Sequence, residues 1–375
     1  MGSKRIAIAC QGGGSQCAFV AGALKRLFAD KVDERFRIVG LSGTSGGGLT
    51  AAVAWQALLA RAHGDGTPIE DRIVAFWKDL TAQTPQEIAF DRAGVQWLRL
   101  VEGGWLPSVA SSPSSPKFQL GMQLVSRMLT RPEFTDLRAV VEKHVSFDRL
   151  RSLVEPDSPA LLVGACDVLQ GSFKTFSSAL GEISAESLLA SAAIPNLFPA
   201  VWVDGHPYWD GIFSSNPPVA DLLRYKLMGR SPLPEEVWII QVNRSQHDDV
   251  PERPSDIFDR RNHLAGNLSL QHELQLIEML NLLIQEGLLT DHVRARFGLD
   301  MTETITVRFI RMSKQLEQGL DYPSKLSRQP AHINRLMADG DAQAAAFLAA
   351  LPKEGRLPEQ RAAEYDIREA SMGIH

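Results

Sequence analysis

The chain has 375 residues and a formal net charge of -5, with 44% hydrophobic and 22% charged residues. That balance is ordinary for a soluble globular protein and lacks the basic footprint of a nucleic-acid binder, so no nucleic-acid partner is expected. Three cysteines without metal-ligand spacing, no export signal at the start and no long apolar run point to a reduced, cytoplasmic setting without a membrane span.

Arg5–Cys10 is a short apolar run ending in glycines and predicts a buried strand. Phe19, Val20, Ala23, Leu24 and Leu27 then recur at helical spacing within 15–29. A second apolar run, Phe36–Leu41, leads through Gly43-Thr44-Ser45-Gly46-Gly47 into an alanine- and leucine-rich helix ending near Arg61. Strand, loop and helix repeated in this way are the signature of a mainly parallel α/β sheet. From Gly64 to Arg149 the pattern weakens, and 108–118 (SVASSPSSPKF) reads as a mobile Ser/Pro-rich loop that could serve as a lid. Strands are expected at Ala160–Val168, Ser172–Ser177 and Glu236–Val242, with a small-residue helix at Ser184–Ile194 ended by Pro195. After the Pro- and charge-rich stretch 245–256 come an amphipathic helix at Phe258–Gln285, a late strand at Ile305–Met312 and an alanine-rich helix over 331–351. The expected division is a main domain over 1–245 and a mostly helical extension over 246–375 packed on it.

Ser45 sits in a Gly-x-Ser-x-Gly pattern between a strand and a helix, the context that gives the pattern meaning. A nucleophile elbow and a plain glycine-rich loop both fit it. The run Gly12-Gly13-Gly14 follows the first strand and admits three functional readings. A dinucleotide fingerprint wants glycine at position 17, which is Cys17, and a phosphate loop wants a lysine that is missing. An oxyanion hole needs only backbone N–H groups turned toward one point, which consecutive glycines allow. Nine histidines offer a base for the serine, and the late ones lie in charged or amphipathic helical segments where solvated side chains are the rule. Asp210, after Tyr208-Trp209 and before Gly211, is the more interesting candidate: an apolar setting raises a carboxylate's proton affinity toward that of a general base, although an aspartate in a turn is often only a turn-former.

Four blocks in order resemble the patatin-like phospholipase family: Gly12-Gly13-Gly14, Gly43-Thr44-Ser45-Gly46-Gly47, Ser191-Ala192-Ala193-Ile194-Pro195 with Phe198-Pro199, and Asp210-Gly211 with Asn216-Pro217. The resemblance implies a three-layer α/β/α sandwich and a carboxylic ester hydrolase with Ser45 as nucleophile and Asp210 as base. It further implies Gly12, Gly13 and Gly14 as oxyanion hole, Gly43 and Gly47 shaping the elbow, Gly211 closing the motif after the base, and no cofactor or metal. The implied partner is a lipid or other acyl ester, met in the cytoplasm or at a membrane, lipid or polyester surface. An intracellular polyhydroxyalkanoate depolymerase and a non-catalytic lipid- or granule-binding protein are the alternatives. The resemblance breaks after the glycines, where the family usually has a basic residue and a further glycine and this chain has Ser15-Gln16-Cys17. Residues 258–351, including Leu320–Leu326, are similar to a C-terminal extension of some bacterial members.

Overall fold

A computed structural model describes residues 3–106, 115–116, 120–121, 131–195, 197–247, 249–292 and 304–351. Most of the 108–118 segment, the candidate lid, lies outside them. The strands are β1 (Arg5–Cys10), β2 (Arg37–Thr44), β3 (Ala160–Asp167), β4 (Ser172–Ser177), β5 (Val201–Val203), β6 (His206–Asp210), β7 (Glu236–Gln241) and β8 (Thr306–Arg311). They form one sheet in the order β5-β6-β3-β2-β1-β7-β8, with β4 beside β3. The pairings from β3 through β2, β1 and β7 to β8 are parallel, and those involving β4, β5 and β6 are antiparallel.

Helices cover both faces. They are α1 (Ala18–Ala29), α2 (Ser45–Ala62), α3 (Ile69–Leu80), α4 (Pro85–Glu102), α5 (Leu137–His144), α6 (Phe147–Leu153), α7 (Ala185–Ser191), α8 (Pro254–Gln285) and α9 (Pro330–Ala350), among shorter turns. Ile6, Ile8 and Cys10 of β1 join Leu41, Val163 and Ile240 in a core shared with α1, α2, α3 and α9. Ala7 and Ala9 point the other way, into a second core with Leu162, Leu222 and α8 residues Leu270, Leu274 and Ile277. A strand buried on both faces reads as a continuous apolar run, which is why RIAIAC shows no alternation. No described helix is long and apolar enough to cross a membrane.

Two stretches differ from the sequence expectation. The weak region after Gly64 holds α3, α4, α5 and α6, and Ile73, Phe76 and Trp77 of α3 are buried in the first core. A β5–β6 hairpin, unforeseen, turns at Asp204-Gly205, both with positive φ (49° and 81°). Proline at 207, inside β6, disguises that strand, because proline cannot donate to a ladder and is confined to edges.

Candidate active site

β2 runs through Thr44 and α2 begins at Ser45, so strand passes to helix with no loop between. The reversal is made by Ser45 itself, with φ of 55° in the left-handed region. Lys31 and Asp204 share that sign of φ but lie in exposed turns, whereas Ser45 is only 3% exposed. A buried non-glycine residue held there costs on the order of 1–3 kcal/mol and persists only where its surroundings impose it. They do: a Cβ on Gly43 would lie 2.7 Å from Gly48 Cα, and one on Gly47 2.4 Å from Cys10 O and 2.5 Å from Gln11 O. The obstacles are backbone and cannot swing aside. Gly47→Ala is therefore expected to push α2 off the glycine loop, lowering the melting temperature and reducing ester turnover on the order of 100-fold. Thermal melting and p-nitrophenyl ester kinetics on the same sample check it.

Strand β3 sets the distance between Ser45 and Asp210. One edge of β3 is taken by β4 from Leu162 to Asp167. Strands β2 and β6 must share the other edge end to end, β2 finishing with Thr44 opposite Gly164 and β6 finishing with Asp210 opposite Ala165. Thr44, the neighbour of Ser45, and Asp210 lie 166 positions apart in sequence, yet adjacent residues of one strand hold them. The Ser191–Pro195 block fastens both: Ser45 N donates to Ser191 Oγ at 3.0 Å, Ser191 Oγ donates to Gly164 O at 2.6 Å, and Asp210 N donates to Ala193 O at 3.0 Å. Gly211 passes so close to β3 that a Cβ there would sit 2.5 Å from Gly164 O.

Asp210 is fully buried. Its Oδ1 accepts from Ile212 N at 2.9 Å, while among the described residues Oδ2 is buried without a hydrogen bond of good geometry. Burial pushes the carboxyl from 3.8 up to about 7, against the downward pull of the Ser45 hydroxyl, the Ile212 N–H and the Lys325 ammonium. Among the described residues no histidine hydrogen-bonds Ser45 or Asp210; His144 pairs with Asp79, His206 with Asp167, and His247 with His263.

The glycine loop lies directly against the elbow. A Cβ on Gly12 would be 2.6 Å from Thr44 O and 2.9 Å from Ser45 Cβ, and one on Gly46 2.8 Å from Gly14 O. Gly12 N donates to Asn216 Oδ1 at 2.6 Å, so its hydrogen is already engaged in holding the loop. Gly14 takes a positive φ of 58°. All the residues expected at the site, Gly12, Gly13, Gly14, Gly43, Ser45, Gly47, Asp210 and Gly211, come to one end of the sheet around β1, β2 and β3.

Residues 8–223, more than half the chain, match the sequence model of the patatin-like phospholipase family. The chain belongs to that family. Membership supports lipid acyl hydrolysis and an esterase-type hydrolase. The solved structure of VipD from Legionella pneumophila is similar over 92% of this chain and 67% of its own, at 15% identity and a TM-score of 0.38. No curated protein matches the chain.

The patatin-like match ends at Leu223, yet residues beyond it hold the site together. Gln11 donates from Nε2 to Gly266 O at 3.1 Å and Asn267 Oδ1 at 2.9 Å, and its Oε1 accepts from Val242 N and Asn243 N. Glu273 of α8 accepts from the Ser215 hydroxyl and from the N–H groups of Val219 and Ala220, latching the segment that follows Asp210. Gln16, in the stretch that departs from the family pattern, donates to Ser324 Oγ at 2.9 Å. Sequence reading named none of Gln11, Gly164, Asn243 or Glu273. A glutamine directly after the first apolar run and a glutamate among Leu270, Leu274 and Ile277 of the long helix were the available signals.

Proposed function

We propose that this protein is a serine acyl-ester hydrolase in which Ser45 and Asp210 work as a dyad on a lipid-like ester. The carrying observation is the shared edge of β3, which seats a strained serine next to a buried carboxylate whose Oδ2 has no good hydrogen bond. In the proposed cycle the Ser45 hydroxyl gives its proton to Asp210 Oδ2 as Oγ bonds to the ester carbonyl carbon. The carbonyl oxygen becomes an oxyanion, received by the N–H groups of Gly13 and Gly14 at the loop and aided by the N-terminal end of α2. Collapse breaks the bond to the leaving alkoxide, which takes the proton from Asp210 and leaves an acyl-enzyme. Water then attacks the acyl carbon, gives its proton to Asp210, and the carboxylic acid departs as Ser45 recovers its hydrogen.

The base must be ionised, and its pKa stands near 7. Ester turnover (kcat/KM) is therefore expected to rise through about pH 7 and level off above it. The deciding experiment is labelling with a fluorophosphonate probe and mapping of the modified peptide. Attachment at Ser45 supports the reading; a folded protein that takes no label, or takes it elsewhere, rules it out.

A further inference from the structure

The glycine loop carries no cation of its own, since Ser15, Gln16 and Cys17 follow the glycines. A cation reaches the site from elsewhere. Lys325 is 5% exposed, in the short turn Pro323–Lys325. Its Nζ donates to Asn243 Oδ1 at 2.7 Å, and among the described residues no carboxylate lies within salt-bridge distance of it. Burying an ammonium against one neutral amide is unfavourable for folding, which would be better served by an apolar side chain of similar volume.

The loop is shaped around this turn. A Cβ at Gly14 would lie 2.3 Å from Lys325 O, so only glycine fits beside it. Gln16 reaches across to Ser324 Oγ and to Asp321 O, at 2.9 and 3.4 Å. Asn243, which accepts from Lys325, also donates to Gly12 O at 3.0 Å. The ammonium, the amide and the loop backbone therefore form one connected chain of hydrogen bonds.

We infer that Lys325 is the site's own cation and a positioning residue of the reaction: through Asn243 its ammonium sets the backbone of the glycine loop, and its charge acts on Asp210 at the end of β6. The inference rests on the hydrolase reading above. The titratable groups whose charge couples to the ammonium are Cys17 on the loop, Asp210 at the end of β6, and Asp259 and His263 on α8. Burial pushes the Cys17 thiol up to about 12 and, with help from Lys325, the His263 imidazole down to about 3, so neither carries charge near neutral pH. Asp259 is raised by burial to about 6 and accepts from Tyr322 N at 2.7 Å. Lys325 itself is lowered by burial to about 8, so most of it is charged at pH 7.

The test follows the rate of fluorophosphonate labelling of Ser45 against pH in the full chain. Wild type should show a half-point near pH 7. Lys325→Met removes a charge that pulls the Asp210 carboxyl down, so its half-point should move upward and labelling at pH 6 should fall severalfold. Lys325→Gln, which keeps an amide donor for Asn243, should shift alike and serves if the methionine variant does not fold. Lys325→Arg keeps the charge and should keep the wild-type half-point. A merely structural lysine would lower the melting temperature and leave the half-point in place, and that result in a labelled protein overturns the inference alone. A wild type that takes no label overturns the hydrolase reading and this inference with it.

Discussion

Ser45→Ala is expected to abolish fluorophosphonate labelling and lower ester turnover by at least a thousandfold, while the protein stays folded. The substitution deletes one oxygen and leaves the backbone bond from residue 45 to Ser191 Oγ in place. Alanine also keeps the Cβ that the elbow already accommodates, so any loss must come from the missing hydroxyl. Turnover within tenfold of wild type would end the dyad proposal.

Asp210→Asn should lose activity to a similar degree, because an amide cannot take the serine proton, and its stability should change in the opposite direction to its function. The folded carboxyl binds its proton more tightly than the unfolded one, with a pKa near 7 in place of 3.8. That preference favours the fold below about pH 4, and the advantage drains away as pH rises through about 7. Above pH 7 the wild type therefore carries a buried charge unfavourable by a few kcal/mol, on the order implied by a shift of this size. Asparagine keeps an oxygen for Ile212 N and removes the charge. The variant should melt higher than wild type at pH 8 and show little difference at pH 4. Melting curves at the two pH values check the sign. Strain at Ser45 and charge at Asp210 are both unfavourable to folding, the pattern expected where activity rather than stability set the residues.

Much of this is legible in the amino-acid sequence. The glycine run, the elbow and Asp210-Gly211 lie on short local patterns, since each is made by backbone geometry that only certain residues tolerate. β1, β3, β4, β7 and β8 come within a residue or two of the apolar runs that announce them. The helices after Gly64 lie where the sequence pattern weakens, although Thr84 and Glu87 form a capping box ahead of α4, with Pro85 in its first turn. The β5–β6 hairpin carried an Asp-Gly turn that Pro207 masked. Other features are not local at all. Nothing near Ser45 says that β2 and β6 share one edge of β3, and nothing near Lys325 says that it ends beside the glycine loop. Pairings over such separations are decided by how the sheet assembles, which a pattern of period 2 or 3.6 does not encode.

Gly340→Val is expected to destabilise the fold by on the order of 3 kcal/mol or more. Helices α1 and α9 cross with their backbones touching: a Cβ on Gly340 would lie 2.1 Å from Phe19 O, and one on Gly22 2.0 Å from Met337 O. Each glycine leaves room for a carbonyl of the other helix, and no side-chain rotation would relieve either clash. Arg26, which donates to Asp341 Oδ2 at 2.6 Å, pins the same crossing from the side. Helix propensity predicts the reverse sign, since replacing glycine in a helix interior ordinarily gains up to about 1 kcal/mol. Gly94 supplies the control: it is exposed on α4, with nothing within 4 Å of its would-be Cβ. Gly94→Ala should raise the melting temperature where Gly340→Ala lowers it, and equal responses would remove the close-approach argument. The crossing also bears on the site, because His332 near the start of α9 bonds Ser324 O at 3.1 Å, one residue before Lys325. A helix forced away from α1 takes that turn with it, so a Gly340 variant that still folds should lose activity as well as stability.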